Sequence, residues 1–168
     1  AVEQENLEQC INSFSSIEKD FEDNFEKIYI IGHAYGSQTI DSNGLSVKVT
    51  DLFSSFATRE KALVLTGDIV IENSIEKLSN VKNNIESSFE NYFISPGSHD
   101  IGYSGFQTDN LEVNDNFIKI FSKDLFMKEF DNFTLIAANF STPNWEPNNS
   151  TKKIINEYIS KTQNEIIF

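Results

Sequence analysis

The sequence predicts an α/β fold, a mixed β-sheet layered with helices, and two observations carry that prediction. Three apolar runs, Ile28-Tyr29-Ile30-Ile31, Ala62-Leu63-Val64-Leu65 and Tyr92-Phe93-Ile94, each lead into a glycine-containing polar cluster. Between the second and third runs, Ile75, Leu78, Val81, Ile85 and Phe89 recur at three- and four-residue intervals, the spacing of one helix face. Strands that alternate with helices imply parallel pairing, because a parallel neighbour is reached only through a long crossover.

The elements follow in order. Leu7, Cys10, Ile11, Phe14, Ile17, Phe21 and Phe25 form an apolar stripe opposite acidic residues, which predicts an N-terminal helical extension over 1–26 packed on the sheet. Residues 28–31 read as a buried strand, followed by Gly32-His33-Ala34-Tyr35-Gly36 and a turn-rich loop from Thr39 to Gly44. A short helix is expected over 47–57, then a strand closing on Gly67-Asp68, the helix that reaches Phe89, and a third strand over 92–95 before Gly97-Ser98-His99-Asp100.

Beyond that cluster the pattern changes. Asp124 to Phe130 and Asn132 to Phe140 read as antiparallel strands turning near Asp131-Asn132, residue types that tolerate a tight turn. Ser141 to Asn149 reads as a loop, Ser150 as the cap of a helix carrying Ile154, Ile155, Tyr158 and Ile159, and Glu165 to Phe168 as a strand just beginning. That unfinished strand makes the chain read as truncated at its C-terminus, the first half to two-thirds of a longer α/β domain.

Composition bounds the function. With 168 residues, 39% of them hydrophobic and 15 of them Phe, the chain reads as a single domain, 1–168, able to bury a real core. A formal net charge of −13 repels a phosphate backbone, and no basic stripe with interleaved aromatics is present, so nucleic-acid binding by charge is disfavoured. Any phosphate ligand would then need a local cation. One cysteine, Cys10, cannot form an internal disulfide, and no run is apolar enough to span a bilayer, so a cytoplasmic protein without a membrane partner is expected.

Each polar cluster emerges where a strand ends, the edge at which open α/β sheets bind ligands. The Asp68 carboxylate can bridge two divalent ions or, read locally, cap the helix that follows. His99 is a residue type suited to donating a proton near neutrality, with Asp100 beside it to hold the ring. The imidazole of His33 is a competent ligand for zinc, iron or manganese, whereas the Tyr35 phenol and the Ser98 hydroxyl are weaker donors. Read locally, His33 and Tyr35 are hydrogen-bonded residues at a strand end, and His99 with Asp100 is a satisfied loop pair. Asn139 fits either a sheet edge or a turn, and Trp145 either a ligand platform or a cover for the core. No lysine-bearing glycine-rich phosphate loop, no Gly-x-Ser-x-Gly elbow and no paired-cysteine metal motif is present.

The order and spacing of the three clusters resemble the calcineurin-like metallophosphoesterases, whose signature runs Asp-x-His, then Gly-Asp, then Gly-Asn-His-Asp/Glu. The resemblance extends from about residue 27 to the end of the chain. It implies metal-dependent hydrolysis of a phosphomonoester or phosphodiester, with up to two divalent ions, Mn, Fe or Zn. In that scheme Asp68 bridges the metals, His33 stands where the family has Asp, Tyr35 where it has His, and Ser98 where it has the Asn that binds the second metal. His99 would contact the phosphoryl oxygen or the leaving group, and Asp100 would orient His99. The three altered positions, and the absence of any histidine besides His33 and His99, leave an alternative: a catalytically inactive phosphoesterase-like scaffold that binds a protein partner.

Overall fold

The first three strands end at one level. In the computed structural model, which describes residues 28–36, 44–102, 115–130, 133–141 and 146–167, β1 (Ile28–Ile31) pairs parallel with β2 (Glu60–Leu65), and β2 pairs parallel with β3 (Phe89–Ile94). The register sets Ile31 opposite Leu65 and Leu65 opposite Ile94, so the residues after each strand leave the sheet side by side. The expected helix over 1–26, most of the loop from Thr39 to Gly44, the turn at Asp131-Asn132 and Trp145 lie outside the described residues.

β2 is the buried centre of this sheet, with Ala62, Leu63 and Leu65 at zero exposure. β1 was expected to be buried throughout, but it alternates: Tyr29 and Ile31 pack on the core while Ile28 and Ile30 are exposed. Among the described residues only β2 pairs with it, so β1 is an edge strand there, with one side-chain face on the core and the other exposed.

Three of the four helices among the described residues stand where the sequence places them, with shifted ends. α1 (Val47–Ser54) is shorter than the expected 47–57, because the Ser55 amide closes on Asp51 and Leu52 while the hydroxyls of Ser54 and Ser55 bond back to Thr50 and Leu52 carbonyls. α2 (Ile75–Ser88) opens on Ser74, whose hydroxyl accepts the Lys77 amide, and buries Leu78, Val81 and Ile85. Phe89 ends that helix with its amide on the Ile85 carbonyl and begins β3, so the strand starts three residues earlier than the apolar run indicates. α3 (Asp115–Phe121) has no counterpart in the sequence reading: seven residues are too few to establish a helical period. Its Phe117 is fully buried, with ring centroids 4.8 Å from Phe121.

A second sheet replaces the continuous mixed sheet that was expected. β4 (Leu125–Glu129) pairs antiparallel with β5 (Phe133–Ala138), and β5 pairs parallel with β6 (Glu165–Ile167). Among the described residues no ladder joins β3 to β4; side chains do so instead, with Phe126, Leu135 and Ala137 entering the same core as β2 and β3. The opposite face, Leu125, Ile136 and Ala138, packs on Ile155 of α4 (Asn149–Ile159). That helix is capped by Asn148, not Ser150: the Asn148 side chain accepts the Thr151 amide at 2.9 Å. No helix among the described residues is long and apolar enough to cross a membrane.

Candidate functional site

The aligned ends of β1, β2 and β3 bring the three polar clusters together. The His33 amide donates to the Gly67 carbonyl at 3.0 Å and the Tyr35 amide to the Asp68 carbonyl at 3.3 Å, tying the first cluster to the second. The His99 amide points to Asp68 Oδ1 at 3.4 Å, which brings in the third. Gly97 is needed for this approach, since a Cβ there would overlap both the carboxylate and the amide nitrogen of Asp68.

His33 and Asp68 form the centre. His33 Nδ1 lies 3.4 Å from Asp68 Oδ2, and both residues have left-handed backbones, with φ of 53° and 54°. Each such residue without glycine's freedom costs about 1–2 kcal/mol, a strain that recurs at functional sites. Asp68 does not cap a helix, because α2 begins seven residues later on Ser74. The two side chains open onto a cavity of about 350 Å³ whose walls include Ser95, Ser98, Phe140 and Ser141. Two hydroxyls among the lining residues tie strand ends together: Ser95 Oγ donates to the Ala138 carbonyl at 2.7 Å and Ser141 Oγ to the Pro96 carbonyl at 3.0 Å, holding the end of β5 against the end of β3.

Tyr35 and His99 flank the cavity without lining it. The Tyr35 residue is 2% exposed, and its ring lies 4.3 Å from that of His33 and 5.4 Å from that of His99, as a spacer between the two imidazoles. The ring of His99 is held by the Ile71 carbonyl, 2.9 Å from Nδ1. A carbonyl only accepts, so Nδ1 carries the proton and the neutral ring has Nε2 bare.

Asp100 is not the residue that holds this ring. Its carboxylate has no exposure and is spent on backbone: Oδ1 accepts the Ile69 and Val70 amides at 2.7 and 3.0 Å, and Oδ2 accepts the Gly97 amide at 2.7 Å. Burial pushes its carboxyl up to about 6; the three amides oppose that shift, and the nearby Asp68 charge adds to it.

As a donor set, His33 and Asp68 can both reach one ion, and Ser98 offers a hydroxyl on the same wall. Among the described residues no group of three or more His, Cys, Asp and Glu is arranged to hold a metal. His33 and Asp68 thus supply one imidazole and one carboxylate to any ion bound here. Asn139 resolves as a turn residue, its side chain accepting the Ser141 amide at 3.0 Å. Ser95, Phe140 and Ser141 were not singled out in the sequence. Their only signal was position, since each follows the apolar run of a strand by one to three residues.

Comparison with protein-family models, with curated proteins and with solved structures returned no match to this chain.

Proposed function

We propose that this chain is a metal-dependent phosphoester hydrolase of the calcineurin-like type, acting on a phosphomonoester or phosphodiester in the cavity at the ends of β1, β2 and β3. The observation that carries the reading is the convergence of His33, Asp68 and the Gly97–Asp100 loop on one sheet edge around that cavity. His33 and Asp68 would hold a divalent ion, Mn, Fe or Zn. Such an ion supplies Lewis acidity toward a phosphoryl oxygen and the local positive charge that an acidic chain lacks.

The remaining work falls to the chain itself. The hydroxyl of Ser98 offers a polar contact to a phosphoryl group on the cavity wall. His99 flanks the cavity with its Nδ1 proton committed to Ile71, so a proton it gave to a leaving group would come from Nε2 of the imidazolium form. Phe140 gives one wall of the cavity an apolar surface.

A second reading, the inactive scaffold that binds a protein partner, is favoured by one observation: the sparse donor set of His33 and Asp68. Hydrolysis of bis-p-nitrophenyl phosphate and p-nitrophenyl phosphate with and without Mn²⁺ separates the two. Metal-dependent turnover that disappears in Asp68→Ala supports the hydrolase, whereas no turnover and no metal uptake after supplementation supports the scaffold.

A further inference from the structure

We propose that Asp100 is a positioning residue that sets Asp68 in register with the Gly97–His99 loop; its consequence for turnover rests on the phosphoesterase reading. The geometry is a clasp between two strand-end loops. One carboxylate oxygen gathers the Ile69 and Val70 amides, which directly follow Asp68, and the other takes the Gly97 amide, which opens the third cluster. The main chain of Asp100 strengthens the same junction, since its carbonyl accepts the Asn73 side-chain amide at 2.7 Å and its amide donates to Gly97.

Three consequences follow from that arrangement. Asp68 is brought so near Gly97 that no side chain fits there, and Asp68 Oδ1 comes within reach of the His99 amide. Ile71, whose carbonyl fixes the His99 ring, belongs to the segment that Asp100 gathers, so both the carboxylate at position 68 and the imidazole at position 99 are placed through it. A carboxylate suits the task because it accepts from three donors at once and donates to none.

Asp100→Asn is the discriminating change. The amide keeps one accepting oxygen for Ile69 and Val70 but turns an N–H₂ donor toward the Gly97 amide, opening the junction on one side. It also removes a buried charge, which favours retention of the fold. The test is amide hydrogen exchange followed by NMR on the full chain, together with initial rates on bis-p-nitrophenyl phosphate in Mn²⁺. The expected result is exchange about tenfold faster at Gly97 and also at Tyr35 and His99, whose amides donate to Asp68, while Val81 in α2 is unchanged and kcat falls with KM held. Gly97→Ala, which disturbs the same junction from the other side, should accelerate the same amides. Faster exchange at Gly97 alone, with Tyr35, His99 and kcat unaffected, would overturn the proposal, as would uniform acceleration that includes Val81 in both variants. If the unaltered chain hydrolyses no phosphoester, the hydrolase reading falls by itself, because the exchange pattern still decides whether Asp100 positions Asp68.

Discussion

Acidification should stabilise this protein through Asp100. The carboxyl is buried with no exposure and pushed up to about 6 from 3.8, burial outweighing three accepted amides. The native state therefore binds this proton more tightly than the unfolded chain does. The stability it contributes is fully present below pH 3.8 and is lost as the pH rises through 6. At about 1.36 kcal/mol per pH unit, the gap between those values amounts to about 3 kcal/mol, of which about 2 kcal/mol falls between pH 4 and pH 7. Burial also pushes up Asp124, which adds a dependence of the same sign, so the comparison must isolate one group. Asp100→Asn does so, because an amide does not titrate. Urea unfolding followed by circular dichroism at pH 4, 5, 6 and 7 should give the unaltered protein a rise in stability on acidification that exceeds that of Asp100→Asn by about 2 kcal/mol. Parallel profiles would refute the reasoning, and so would an unaltered protein that loses stability toward pH 4 relative to the variant. That second result would mean that the three amides outweigh burial.

Two further predictions concern the frame around the site. Phe117→Ala should cost about 3–5 kcal/mol in urea unfolding, since the ring is fully buried in the core against Phe121. Asn148→Ala should cost about 1 kcal/mol by removing the cap of α4, whereas Ser150→Ala, at an exposed position, should change stability by less than about 0.5 kcal/mol; the reverse order would return the cap to Ser150.

Much of the frame was legible because its signals are local. The stripe Leu78, Val81 and Ile85 locates α2, and the run Ala62 to Leu65 locates β2, since burial on one face or on both writes itself into spacing. The parallel pairing of β1, β2 and β3 followed from alternation with helices, and with it the expectation that the three clusters share an edge. What spacing could not carry was the division into two sheets, which depends on Phe126 and Leu135 meeting the first sheet by packing instead of by a backbone ladder. The short α3 was beyond reach for the same reason, as its two buried phenylalanines are one helical turn apart and fit many conformations. Within the site, residue type pointed to His33, Asp68, His99 and Asp100, but not to their partners. Asp100 next to His99 in sequence invites a pairing of their side chains, and only the fold reveals that the carboxylate turns to the Ile69, Val70 and Gly97 amides while Ile71 takes the ring.

The most direct test of the site is binding of Mn²⁺ followed by electron paramagnetic resonance, on the unaltered chain, His33→Ala and Asp68→Ala. If these two side chains form one ion site on the cavity wall, the unaltered chain binds a single Mn²⁺ and each variant loses it. Binding that survives both substitutions, or no binding in the unaltered chain, would contradict the account.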